Sequence, residues 1–395
     1  MILTLLILLG IWLVIDYKLG RKQHLKSIVK PNPPYRQSNL EVFTRGQDLF
    51  NDMFTEIKNA KKHIHVMFYI VKDDTISEKF MEMLIEKAKA GVEVRLLFDY
   101  VGSFKVKRKS INALKQAGVQ IHFCHIPKFP FIFYSSQVRN HRKITVIDGV
   151  KGYLGGFNVG KEYVDLDPKL SPWRDYHLKI TGEGVEDLQT QFLHDWFEST
   201  KTNLLQSKIY FPPLEKGNIK HQTISSEGFL LEDTFSDLIK KAKDSITIGT
   251  PYFIPSNRIF SDLMRALDRG VKLTILVPKN ADHPLVQEAS YRYFRPLIKK
   301  GANIYQYMKG FYHAKTFIID EKICDLGTAN FDRRSLFLNH EINCYVVDQK
   351  YINKMIPIIQ NDLEDSRQLS LKDLNKPNPF RAIKEGIARV ISHFL

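Results

Sequence analysis

The chain has 395 residues, 44% hydrophobic and 26% charged, which excludes a disordered chain and is long enough for two domains. Lys and Arg total 58 against 43 Asp and Glu, a formal net charge of +15. That surplus points to an anionic partner: nucleic acid, an acidic lipid surface or a phosphate-bearing substrate.

Met1 to Ile15 carries no charged side chain, and Thr4 is its one polar residue. A helix of that length spans about 22 Å, short of the roughly 30 Å hydrocarbon core. Tyr17 and Lys18 extend it, with the lysine head reaching the interface. No basic segment precedes the run and no small-residue cleavage site follows it, which disfavours a signal peptide. A single-pass anchor over residues 1–18 is expected, ahead of a surface-lying helix. Arg21, Lys22, Lys26 and Lys30 follow the span and place the body on the cytoplasmic side of the cell membrane. Residues 19–39, with Pro31-Asn32-Pro33-Pro34, read as a basic, proline-rich linker.

From residue 40 the chain repeats itself. The first half has an alternating strand at His63–Tyr69, a helix closed by Gly91, and an apolar strand at Val94–Asp99. The second half repeats the series at Ser245–Tyr252, Gly270 and Leu273–Pro278. Strands alternating with helices predict an α/β fold of two duplicated domains, 40–205 and 206–395. Each is expected to hold a mainly parallel sheet flanked by helices. Two copies of one unit imply a pseudo-twofold, with the active site at their interface.

Both halves then reach one pattern, H-x-K-x-x-x-x-D. It runs from His141 and Lys143 to Asp148, and from His313 and Lys315 to Asp320. Asn158 and Asn330 each lie 17 positions after their histidine. In a strand, residues two apart share a face, so each His and Lys point the same way. A return strand brings the asparagine beside them. Two facing patches make a phosphodiester site. Lys143, Lys315, Asn158 and Asn330 hold the phosphate oxygens and stabilise a pentacoordinate transition state. One histidine attacks phosphorus, and the other protonates the leaving oxygen. Asp148 and Asp320 complete the motifs and enter the catalytic set. Their place about five residues and 16 Å along the strand reads as structural.

No cofactor is expected, because the lysines supply the positive charge. Cys124, Cys324 and Cys344 are scattered and read as buried thiols. The run Ile121 to His125 reads as a strand, and no metal site is expected there.

The paired motifs identify residues 40–395 as resembling the phospholipase D, or HKD, superfamily. Asn140-His141-Arg142-Lys143, Gly155-Gly156-Phe157-Asn158, Trp173-Arg174-Asp175-Tyr176-His177, Asn330-Phe331-Asp332-Arg333-Arg334-Ser335 and Asn339-His340-Glu341-Ile342-Asn343 resemble bacterial cardiolipin synthases in particular. Thr328 stands where the family often has serine, and one N-terminal span stands where many relatives have two. The resemblance implies phosphatidyl transfer between two phosphatidylglycerols through a phosphohistidine on His141, with His313 as acid and base. It also implies a carboxylate behind each imidazole: Glu341 is the second-half candidate and Asp175 the first-half one. The alternative is a phospholipase D-type hydrolase of phospholipid or nucleic acid at the membrane.

Before the first motif, the first half carries the extra segment Ile126-Pro127-Lys128-Phe129-Pro130-Phe131-Ile132-Phe133-Tyr134. It reads as an exposed aromatic loop beside the site, able to dip into a bilayer. With the anchor and the basic body, it favours an anionic phospholipid over nucleic acid. No obligate protein partner is evident. At the C-terminus, Phe380, Ile383, Ile387, Val390, Ile391 and Phe394 form one apolar stripe, expected to pack on the domain.

Overall fold

The two halves build matching sets of strands. In this computed structural model, residues 1–28 and 33–392 are described. Part of the expected linker, and Phe394 of the C-terminal stripe, lie outside them.

The first half contributes β1 (Arg36–Phe43), β2 (His63–Phe68), β3 (Glu93–Asp99), β4 (Gln120–Cys124), β5 (Ile144–Ile147), β6 (Lys151–Gly155) and β7 (His177–Gly182). The second contributes β8 (Ile219–Glu227), β9 (Ser245–Gly249), β10 (Lys272–Pro278), β11 (Asn303–Tyr307), β12 (Thr316–Ile319), β13 (Ile323–Gly327), β14 (His340–Val346) and β15 (Ser366–Gln368). All join one sheet of order β15-β11-β10-β9-β12-β13-β14-β8-β1-β7-β6-β5-β2-β3-β4. Read outward from the centre, β1-β7-β6-β5-β2-β3-β4 mirrors β8-β14-β13-β12-β9-β10-β11. The repeat in the sequence is therefore a repeat in topology. The antiparallel pair β1 and β8, with Arg36 opposite His221, stitches the halves together.

The sheet is more mixed than expected. Parallel pairing is confined to β2-β3-β4 and β9-β10-β11. The motif strands β5 and β12 each fold straight back in a hairpin, so they and their neighbours run antiparallel. Helices closed at Gly91 and Gly270 connect the parallel strands. Both glycines sit at positive φ, 86° and 84°, which an L side chain adopts at a cost. Each half has its own core, around Leu49, Phe68 and Leu96 in one and Ile248, Phe294 and Ile275 in the other. A third core, with Ile144, Leu178, Ile318 and Ile342, is shared between them. The three cysteines are buried and free.

The hairpin turns give Asp148 and Asp320 their role. Asp148 adopts φ 54°, and its carboxylate accepts from the backbone N–H groups of Lys61, Lys62 and His63 at 2.9, 2.7 and 3.0 Å. Asp320 does the same for Lys243, Asp244 and Ser245. Both tie the end of the motif strand to the start of a neighbouring strand, at the opposite end from the histidine. Their inclusion in the catalytic set is corrected on that ground.

The N-terminal helix runs from Ile2 to Ser27, beyond the expected anchor of residues 1–18. Its Ile2–Lys26 stretch is long and apolar enough to cross a membrane. Leu3, Leu6, Leu8 and Ile11 are exposed, whereas Asp16 and Gly20 are buried against the body. Asp16 accepts from Tyr134 N at 2.7 Å, and a Cβ on Gly20 would meet Tyr134 Cβ at 2.6 Å. The absent side chain lets the helix seat there. The aromatic segment therefore divides. Ile126 and Phe129 are exposed, as expected of a loop. Ile132–Gln137 instead forms a short helix that packs on the N-terminal one through Tyr134 and Tyr17.

The C-terminal helix, Pro379–Ile391, reverses an expectation. It docks through Ala388 and through ion pairs of Glu385 with Arg295 and of Lys384 with Glu288. Phe380, Ile383, Ile387 and Val390 stay exposed. The stripe faces outward because charged residues of the opposite face reach partners on Val286–Lys299.

Replacing Asp148 with asparagine keeps a residue that tolerates positive φ but removes the charge from three hydrogen bonds. We expect Asp148→Asn to lower unfolding stability by about 1–3 kcal/mol while turnover by the folded enzyme persists. Chemical denaturation in detergent checks it.

Candidate active site

The motif strands begin at the seam between the halves. His141 N donates to His340 O at 2.9 Å, and His340 N donates to Arg139 O at 2.8 Å. On the other side His313 N donates to Arg174 O at 2.7 Å, where Phe311–Tyr312 pairs with Trp173–Arg174. Each histidine is thus held at the seam by backbone from the opposite half. His141 and His313 are 7% and 6% exposed, enough for one edge of each ring to meet a ligand.

The orienting carboxylates cross the seam. His141 Nδ1 donates to Glu341 Oε2 at 2.9 Å, and His313 Nδ1 donates to Asp175 Oδ2 at 2.6 Å. Both carboxylates were expected behind an imidazole, and each serves the histidine of the other half. A carboxylate on Nδ1 fixes the tautomer and leaves the Nε2 lone pair facing outward.

The surroundings of the two carboxylates differ. Glu341 also accepts from Thr328 Oγ1 at 2.6 Å, Ser335 Oγ at 2.8 Å and Asn339 Nδ2 at 3.3 Å. Asp175 accepts from Tyr176 N at 2.8 Å and lies 3.7 Å from Lys315 Nζ. A Cβ on Gly156 would meet Asp175 Oδ1 at 2.0 Å, so that glycine makes room for the carboxylate. Thr328 occupies the matching position in the second half and contributes a hydroxyl instead. The sequence pattern alone assigns Thr328, Ser335 and Asn339 no role. Their hydrogen bonds appear only once β13 and β14 are paired.

Lys143 and Lys315 are buried beside their histidines. Lys143 Nζ donates to His141 O at 2.7 Å and lies 5.4 Å from the centre of the Tyr69 ring. Lys315 Nζ sits 2.6 Å from His313 Nδ1 and 3.1 Å from its Nε2. Tyr69 stands edge-on to His141, and Trp173 and Tyr252 wall His313. Asn158 is buried, with Oδ1 accepting from Ile70 N and Nδ2 donating to Tyr163. Asn330 Oδ1 is buried without a hydrogen-bond partner. The asparagines therefore differ: both polar atoms of Asn158 are engaged, whereas Asn330 keeps an unpartnered Oδ1 and a side-chain hydrogen bond to Asp332.

Between His141 and Lys143, Arg142 points to the back of the strand. It is fully buried and grips Asp195 through Nη1 at 2.7 and 2.8 Å. It also donates to Glu341 O and Ser226 O in the other half. A buried guanidinium that loses its partner destabilises strongly, so this contact fixes the motif strand in place.

Electrostatics set the protonation states. Burial pushes His141 down to about 4 against the pull of Glu341. Burial, then Lys315, push His313 down to about 4. Burial likewise lowers Lys143 to about 7 and Lys315 to about 8, opposed by Glu341 and Asp175 respectively. Burial raises both carboxylates, yet Lys315 and His313 hold Asp175, and His141 and Lys143 hold Glu341, below the usual range. With both imidazoles neutral, the two ammonium groups balance the two carboxylates, and an anionic phosphodiester beside them would strengthen the ammonium charges and raise imidazole basicity.

A family model described as cardiolipin synthase, PLD-like domain, matches residues 53–196 and 235–363, one stretch in each half. The chain belongs to that family. It is 39% identical to the minor cardiolipin synthase ClsB of Bacillus subtilis, over 100% of this chain and 98% of that protein. It is also 39% identical to a cardiolipin synthase of Oceanobacillus iheyensis, covering 91% of this chain and 76% of the relative. The phosphatidylserine synthase structure from Haemophilus influenzae shares the fold, with a TM-score of 0.74 at 16% identity. That match covers 95% of this chain and 99% of the other.

The lysine values predict a pH profile. Their charged forms are present below their pKa and lost as pH rises through about 7 and 8. We expect kcat/KM, which reports the free enzyme, to fall over that range. Lys315→Arg, whose guanidinium stays charged, removes the steeper fall near 8 and leaves the Lys143 limb near 7, even where the maximum drops. Initial rates of lipid turnover in micelles against pH measure both.

Proposed function

We infer that the chain is a cardiolipin synthase, a phosphatidyltransferase of the phospholipase D superfamily. The observation that carries the mechanism is the crossed pairing of His141 with Glu341 and His313 with Asp175. It presents two oriented imidazoles beside two buried ammonium groups.

His141 Nε2 attacks the phosphorus of one phosphatidylglycerol. His313, which takes up a proton at Nε2 once the anionic phosphodiester raises its basicity, gives that proton to the head-group glycerol oxygen as its P–O bond breaks. Lys143, Lys315 and Asn330 hold the non-bridging oxygens, and Asn158 shapes the first-half wall. His313 then takes the proton from a hydroxyl of a second phosphatidylglycerol. That oxygen displaces His141 from phosphorus, so the P–N bond breaks and cardiolipin leaves. One glycerol is released per cardiolipin. Two features support His141 as nucleophile. Glu341 shares its charge among four donors, which weakens its pull on the His141 proton. Asp175 makes the shorter bond to His313 and favours its imidazolium.

The N-terminal helix brings this site to the bilayer. The exposed Ile126 and Phe129 add apolar contact near it. Lys18, Arg21, Lys22 and Lys26 favour the cytoplasmic side. An anionic phospholipid suits both the site and the net charge better than nucleic acid does.

Purified protein incubated with phosphatidylglycerol vesicles is expected to yield cardiolipin and glycerol in equal amounts. His141→Ala and His313→Ala should each cut the rate by at least about a thousandfold. Phosphatidic acid as main product would make the protein a hydrolase, and full activity in either variant would refute the two-histidine mechanism.

A further inference from the structure

The C-terminal helix, Pro379–Ile391, is docked the wrong way round for a core element. Phe380, Ile383, Ile387, Val390 and Ile391 recur at helical spacing, so they share one face. That face points away from the body: Phe380 and Val390 are 81% and 83% exposed, and Ile383 is 62% exposed. The charges of the opposite face are spent on the body. Glu385 accepts from Arg295 at 2.7 and 2.8 Å, Lys384 reaches Glu288 at 3.5 Å, and Arg381 lies 5.8 Å from the centre of the Tyr291 ring. Ala388 is fully buried. A helix that turns its ion pairs inward and five large apolar side chains outward needs something apolar on its outer side.

The placement of the helix points to a bilayer. Glu288 lies in the first turn of Val286–Lys299, shortly after the loop that carries Asp282. Asp282 accepts from Tyr252 Oη at 2.6 Å, and the Tyr252 ring stands 6.4 Å from that of His313. The C-terminal helix is therefore tied to the rim of the active site. More apolar side chains are exposed at this end of the sheet. Phe104, Ile126, Phe129 and Met308 follow the parallel strands β3, β4 and β11, at the end where Tyr69 and Tyr252 follow β2 and β9. Lys376, just before the helix, and Arg389, in its last turn, are exposed and complement an anionic lipid surface. A second copy of the chain fits less well. A stable dimer interface takes about 20 to 30 residues a side, and this face offers five apolar ones on a single helix.

We propose that Pro379–Ile391 lies in the headgroup layer of the bilayer, with its apolar stripe toward the acyl chains. It gives the catalytic body a second attachment besides the N-terminal helix and turns the mouth of the active site toward the lipid. The choice of a bilayer rests on the reading of that site as one that takes phospholipid.

The test places a nitroxide spin label at Val390→Cys, and separately at Ile383→Cys, in full-length protein reconstituted in vesicles of phosphatidylglycerol and phosphatidylcholine. Both positions are exposed, so neither substitution disturbs the core, and the three native cysteines are buried. Electron paramagnetic resonance then compares collisions with oxygen, which concentrates in the bilayer, and with a water-soluble nickel complex. Oxygen should dominate at both labels. Nickel dominating at both means a stripe in water and overturns the proposal. Shielding from both reagents, with spin–spin broadening, means a second copy on the stripe and also overturns it. Cardiolipin formation by the labelled protein is measured separately. Product without immersion refutes the membrane contact, whereas immersion without product refutes the reading of the site and leaves the contact standing.

Discussion

Everything at this site depends on two hydrogen bonds that cross the seam, from His141 to Glu341 and from His313 to Asp175. Each motif histidine is oriented by a carboxylate of the other half. The halves must therefore stay docked, and the structure invests heavily in that docking. β1 pairs with β8, the third core is built from both halves, and Arg142 reaches into the second half from the first motif. Catalytic geometry and interdomain stability are the same set of contacts.

That arrangement brings several charges out of water together. Lys143, Lys315, Asp175 and Glu341 are all at most 2% exposed. Burying such groups is expensive unless each has a partner. Here every carboxylate faces an imidazole and an ammonium, so two ammonium charges stand against two carboxylates. Burial lowers both lysines and keeps both imidazoles neutral, which suits the proposed attack by one of them.

Much of this was legible in the sequence, because duplication leaves a visible trace. The repeated strand and helix pattern pointed to the fold, and the two H-x-K motifs with their common offset to Asn158 and Asn330 pointed to the side chains that gather at the seam. What could not be read was partnership across the seam. Nothing in the spacing from His141 to Asp175 says that Asp175 faces His313. Asp148 lay inside the motif, yet its turn at positive φ caps backbone N–H groups far from the histidine. The outward stripe of the C-terminal helix was missed for a related reason. Periodicity shows that a helix has an apolar face, but only the partners of Arg295 and Glu288 decide which face docks. The N-terminal helix ran longer than its uncharged stretch because Gly20 and Asp16 fit Tyr134.

A covalent intermediate is the most direct consequence of the proposed attack of an oriented imidazole on phosphorus. Phosphatidylglycerol labelled at phosphorus, mixed with enzyme and quenched in alkali within one turnover, should leave a phosphatidyl group on the peptide that contains His141. Mass spectrometry should find the His313 peptide unmodified. Turnover to cardiolipin with the label on neither histidine, or on a residue outside the two motifs, would contradict the account.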